Sequence, residues 1–237
     1  MRTKTLLLTA ALGAVGVATS MAQVFSENAV GYYVKDLPAG FSIIANQLNN
    51  GDNNLNTILP LDEALVGAQI LKWDVDNQTF FASDDFFGAD FGGWVDADFA
   101  PTDTTLEPGE GAFINLPGAA SLTFVGEVPQ GDLGVAISPF FNLISQPTPQ
   151  ELGIGSTPDA SGADDIPASV GDQILFWDNQ GTPQTFRAPL DYFGAEFGGW
   201  VDANFAPVNP TPAVGEGFFY NSAASADVDW TRTFSVN

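Results

Sequence analysis

Two near-identical peptides, FGADFGGWVDADFAP at 87–101 and FGAEFGGWVDANFAP at 193–207, carry the residues whose types and spacing best suit chemistry. Trp94 with Asp96, and Trp200 with Asp202, each place a flat apolar face beside a carboxylate. That pairing suits a sugar, the ring stacking on the indole while the acid bonds hydroxyls. Asp96, Asp98 and Asp103 in the first copy, with Asp202 and Asn204 in the second, offer oxygens at the short spacing that calcium accepts, although no DxDxDG loop with a distal Glu is present. The exchange of Asp98 for Asn204 keeps an oxygen and drops the charge, which fits a ligand or a turn closed by its own side chain and disfavours catalysis. A structural corner is the first expectation. Phe87, Phe91 and Phe99, matched by Phe193, Phe197 and Phe205, would pack inward around Gly92 and Gly93, or Gly198 and Gly199, whose conformational freedom a side chain would remove. Truncating a buried ring costs about 3–5 kcal/mol, reason enough for retention.

Other chemistry is scarce. The chain has no His and no Cys, which removes imidazole and thiolate devices. Paired carboxylates of the glycosidase type remain, with Asp74, Asp96, Glu110, Asp178, Asp202 and Glu216 as candidates. Among 29 acids such pairs are nearly guaranteed. A non-enzyme is expected, with glycoside hydrolase ranked third among the functions.

The formal net charge is −23, and it becomes −25 once Arg2 and Lys4 leave with an N-terminal leader. Residues 1–22 have the basic start, apolar stretch and small-residue end of a cleavable secretory signal, so a secreted, cell-surface or periplasmic protein with no later membrane span is expected. Only Lys35, Lys72, Arg187 and Arg232 then remain as cations. Nucleic acid is excluded as a partner, because phosphate binding needs clustered Lys and Arg. Hydrophobic residues make up 45% of the chain and Phe occurs 20 times, so packed cores rather than disorder are expected.

The elements that must position these residues come in two copies. GAQILKWD matches GDQILFWD at a shift of 104, the opening peptides match at 106, as do GEGAFIN and GEGFFYN, and FSIIANQ matches FNLISQP at 100. Two modules, 23–128 and 129–237, follow. Short runs rich in Val, Ile, Phe, Tyr and Trp between Gly, Asn, Asp and Pro clusters predict an all-β fold. It would be two tandem β-sandwich or small β-barrel modules, each of about six or seven strands and one short helix. WDVDNQTF and WDNQGTPQTF read as hairpins. Helical turns are expected in NLNTIL and in TPQE at 148–151, where Thr148 could cap and Glu151 reach back. The two PGEG- and VGEG-type segments read as tight turns into apolar strands. A strand of similar sequence closes each module and leads the next, which predicts close docking of the modules and end strands able to pair with neighbouring molecules.

FSIIA or FNLIS, then ILKWD or ILFWD, then LEPGEGAFI and LTFVGEV, together resemble a tandem β module of exported and cell-surface bacterial proteins. The resemblance implies an extracellular β module without catalytic residues, and carries over no site. The expected function is structural or adhesive, at the cell surface or in the extracellular matrix. Assembly with itself, as a homo-oligomer or filament, would use strand addition or calcium-bridged acidic surfaces. The alternative is binding of a surface polysaccharide through Trp94 and Trp200. No cofactor other than calcium is expected.

Overall fold

The computed structural model describes residues 29–155 and 165–236; the leader expected at 1–22 lies outside the described residues. The described chain is all-β, and the predicted apolar runs become strands. In the first half these are β1 (Val30–Leu37), β2 (Gly40–Ile44), β3 (Gln69–Asp74), β4 (Thr79–Phe80), β5 (Asp84–Phe86), β6 (Trp94–Val95), β7 (Ala112–Leu116) and β8 (Ala120–Glu127). In the second they are β9 (Gly131–Ile137), β10 (Phe140–Ser145), β11 (Gln173–Leu175), β12 (Trp177–Asp178), β13 (Thr185–Phe186), β14 (Leu190–Tyr192), β15 (Trp200–Val201), β16 (Gly217–Ser222) and β17 (Val228–Phe234).

Each half contains a sheet and a ribbon. The sheets run β2-β7-β3-β5-β6, with β4 also on β3, and β10-β16-β11-β14-β15, with β12 and β13 as a separate hairpin. The first and last strands of each half pair with each other, β1 with β8 and β9 with β17. These end strands thus find partners inside the chain. Alternation in β1 and β8 turns Tyr33, Leu37, Leu122 and Phe124 onto Ile44, Ile70, Phe86, Trp94 and Ile114 of the sheet, which makes the first core. Val30, Tyr32, Val34 and Val125 lie on the exposed face of that ribbon. The second half repeats the arrangement, with Val135, Ile137 and Trp230 against Ile144, Ile174, Trp200, Phe218 and Tyr220.

The central strands are apolar on both faces, a pattern that requires burial on both sides. Ile44, Ile70 and Ile114 face the first core, while their neighbours Ile43, Leu71 and Phe113 meet Leu143, Leu175 and Phe219 of the second half. The two sheets therefore meet back to back, each with its own core and ribbon on its other face.

The glycine turns lock this seam. Glu110 N–H donates to Glu107 O and Glu216 N–H to Ala213 O, and each tight turn then crosses into the other half. Ser145 N–H donates to Gly109 O at 2.8 Å, and the matched Ala45 N–H to Gly215 O at 3.2 Å. Where the turns pass, a Cβ built on Gly217 would lie 2.7 Å from Ile43 Cγ2, 3.1 Å from Ile44 O and 3.2 Å from Gly111 Cα.

The helical expectations divide. Helix α1 (Leu55–Ile58) forms, capped by the Asn54 side chain accepting from Asn56 N–H, with Leu55 and Ile58 buried. The matching turn at 148–151 does not form, which corrects the prediction of one helix per module. Gln146 replaces Asn46 there; its amide donates to Leu152 O while its oxygen accepts from Arg232. Arg232 also reaches Gln150, so side-chain bonds hold this loop in a non-helical path. Among the described residues, no helix is long and apolar enough to cross a membrane.

Gly217→Ala is expected to destabilise the protein by about 1–3 kcal/mol, because the stiff, β-branched Ile43 side chain and two backbone atoms behind it crowd the new methyl. Gly118→Ala, with nothing within 4 Å of its Cβ position, serves as control and should be neutral or slightly stabilising. Equal midpoints for the two variants in urea would show that the seam is not tightly packed.

Candidate functional site

The repeated corner has the same construction in both halves. Gly88, Gly92 and Gly93 adopt φ of 100°, 97° and 82° around a single 3-10 turn at Ala89–Phe91. Gly194, Gly198 and Gly199 do so at 97°, 95° and 76° around Ala195–Phe197. A Cβ on Gly93 would collide with the Asn56 carboxamide, which is bonded to both backbone groups of Trp94. Helix α1 thereby fixes the strand that carries Trp94. Asp96 Oδ1 accepts from the N–H groups of Asp98 and Ala100, both at 2.9 Å. Asp202 Oδ1 accepts likewise from Asn204 and Ala206. The amides of Ala206 and Asn204 hold the Asp202 carboxyl below the usual carboxylate range.

Two expectations for this corner are corrected. Trp94 and Trp200 are 0% and 1% exposed, so neither offers a face to a sugar; each closes its own core. Their indole N–H groups have no hydrogen-bond partner. The phenylalanines do not pack inward. Phe91 and Phe99 are 77% and 75% exposed, Phe197 and Phe205 70% and 74%, and Phe87 and Phe193 are also exposed. Outside, Phe87 rests on Phe99 and Phe193 on Phe205, at centroid distances of 5.7 and 5.8 Å. Among the described residues no three acidic side chains are grouped to hold a metal ion, and one oxygen each of Asp96 and Asp202 is taken up by its own turn.

The carboxylates considered for acid–base work are also committed to turns. Asp74 accepts from the N–H groups of Asp76 and Asn77, and Asp178 from those of Gln180 and Gly181. Glu110 and Glu216 accept from Glu107 N–H and Ala213 N–H. Burial pushes the Asp84 carboxyl up, against the opposing effect of Thr102 and Thr104, but its matched position is Leu190, so this acid is not a repeated feature.

The arrangement best suited to binding lies at the seam, where a groove of about 550 Å³ runs between the two halves. Its lining is five matched pairs: Phe41 with Phe141, Leu71 with Leu175, Trp73 with Trp177, Phe80 with Phe186, and Phe113 with Phe219. Phe113 and Phe219 form the buried floor, while Phe41 and Phe141 stand at the exposed rim. Edge-to-face contacts cross the seam, Trp73 on Phe219 at 5.1 Å and Trp177 on Phe113 at 5.2 Å. The polar handles are used up inside the protein. Trp73 Nε1 donates to Phe141 O and Trp177 Nε1 to Phe41 O, both at 2.8 Å. Gln78 and Gln184 bond the rim from either side, Gln78 Oε1 accepting from Phe141 N–H and Gln184 Oε1 from Phe41 N–H. Sequence reasoning passed over Trp73 and Trp177, although the conserved spacing of ILKWD and ILFWD between the copies was the signal that could have found them.

Phe99 and Phe205 sit at φ of 60° and 61°, a left-handed conformation that bulky residues rarely adopt. Phe99→Asn and Phe205→Asn should each raise stability by about 1 kcal/mol, since Asn accepts this conformation more readily. The urea midpoint checks this at constant m-value; a fall in midpoint would show that the exposed ring contact outweighs the backbone strain. Comparison of the chain with protein-family models, with curated proteins and with solved structures gives no match.

Proposed function

We propose that this chain is an exported, noncatalytic binding protein whose ligand is an apolar small molecule held in the groove between its two halves. One observation carries the reading: a groove of about 550 Å³ lined by ten apolar side chains, whose two indole N–H groups are already bonded across the seam. The volume is within the roughly 300–1,000 Å³ range of small-molecule sites. A lining without free polar groups favours an apolar ligand over a sugar, whose hydroxyls would lose water without replacement. Export rests on the layout of residues 1–22.

N-phenyl-1-naphthylamine, a neutral dye that brightens in apolar sites, tests the groove. It should bind the mature protein, and Leu175→Trp, which fills the groove, should weaken it at least tenfold without loss of fold. Undiminished binding by that variant would place the dye elsewhere and reject the reading.

A second reading, surface adhesion or self-assembly, is favoured by the six exposed phenylalanines of the two corners, two of them in strained backbone. Exposed rings kept at a conformational cost suggest contact with a partner. In sedimentation velocity at high protein concentration, association should appear and be lost in Phe91→Ser/Phe197→Ser. A monomer throughout would count against it.

A further inference from the structure

The groove is symmetric, but its two ends are not. Beyond Trp73 lies a cleft lined by Val75, Val135, Ala136, Glu107 and Glu110, among others. Beyond Trp177 lies its counterpart of about 250 Å³, in which the matched positions are Asn179, Lys35, Asp36, Ala213 and Glu216, joined by Arg187 and Gln180. One end has thus exchanged two valines and an alanine for Asn179, Lys35 and Asp36. Arg187 stands where the first half has Phe81.

These cations are unusual in their company. Outside residues 1–22 the chain has four, against 29 acids, and two of the four line this one cleft. Among the described residues the ion pair within 4 Å is Lys72 with Glu110; neither Lys35 nor Arg187 has a carboxylate that close. Lys35 Nζ donates to Val214 O at 3.0 Å, which leaves it further N–H donors. Arg187 is exposed, its guanidinium 6.0 Å above the Phe176 ring. Of the cleft acids, Glu216 accepts from Ala213 N–H and, together with Glu151, still attracts the Lys35 ammonium at longer range, while Asp36 accepts from the Ser121 hydroxyl. Two of the chain's few cations, neither in an ion pair within 4 Å, thus flank one aromatic wall, and their remaining donors can take an anion from outside.

We propose that the ligand is an anionic amphiphile. Its single anionic head lies between Lys35 and Arg187, within reach of Asn179 and Gln180, and its apolar body crosses Trp177 into the groove. The inference rests on the groove reading above and adds polarity to it: the head points to the Lys35 end and away from Glu107 and Glu110.

Two dyes that differ only in a sulfonate separate the two ideas. 1-Anilinonaphthalene-8-sulfonate carries the anion and N-phenyl-1-naphthylamine lacks it. In Lys35→Met/Arg187→Met the sulfonate dye should bind about tenfold or more weakly, the loss of charge-assisted hydrogen bonds, while the neutral dye stays within about twofold. Arg187→Gln alone, at an exposed position that leaves the fold intact, should give a smaller loss in the same direction. Equal weakening of both dyes, or no weakening of the sulfonate dye in either variant, overturns the anionic end. Failure of the neutral dye to bind the unmodified protein, with the sulfonate dye still bound and sensitive to Lys35 and Arg187, overturns the apolar groove and retains the anion cleft.

Discussion

The back face of each central sheet is too apolar to meet water, and it is covered by the same face of the other copy. Much of the architecture follows from that constraint. Because strands β2, β3 and β7 carry apolar side chains on both faces, they must lie between a core and a seam, and the ribbons β1/β8 and β9/β17 are left to close the two cores. Edge-to-face ring pairs at the seam add about 0.5–1.5 kcal/mol each beyond their area. Since both surfaces derive from one repeated sequence, complementarity at one contact is reproduced at its mate, as the two indole-to-carbonyl bonds show.

Symmetry explains what is repeated; the departures from it show where each half has been adjusted. Lys72 and Phe81 occupy one pair of backbone-bonded positions in the first half, and Phe176 and Arg187 hold them in the second with cation and ring exchanged. In both halves the backbone contact is kept, Phe81 N–H to Lys72 O and Arg187 N–H to Phe176 O. Either order preserves one cation and one ring, but the exchange moves the charge from the Glu110 turn to the cleft beside Trp177. Asn46 and Gln146 differ by one methylene, and the longer side chain spans a loop where the shorter one bonds Leu106 O.

The strands and hairpins were legible because alternation and turn residues are local signals. Trp73 opposite Phe80 and Trp177 opposite Phe186 sit in the hairpins that WDVDNQTF and WDNQGTPQTF predict. The corner was misjudged for a physical reason. Apolar residue type reports a tendency to be buried, whereas the position of Phe91 or Phe99 depends on backbone at positive φ, which the sequence marks only through neighbouring glycines. The groove was hidden differently. FSII and AFINL show that both strand faces are apolar, but they do not name what covers the second face; that answer needed the other copy in place. Helix 148–151 failed because a distant residue, Arg232, outcompeted local capping.

The pairing of first and last strands also determines where load enters the molecule. Ala29 O accepts from Val128 N–H, and Val236 N–H donates to Gln130, so the chain enters and leaves beside the 128–131 connection between the halves. Tension applied at Ala29 and Val236 would act on the open ends of the two ribbons, peeling Val30 from Glu127 and Phe234 from Gly131 one rung at a time. Lys35, Asp36, Val135 and Ala136, which line the clefts beside the aromatic seam, lie toward the other ends of those ribbons. Stretching would therefore fray the ribbons before it reached the groove, and a tethered molecule could bear strain at its attachment edge while its binding surface kept its shape.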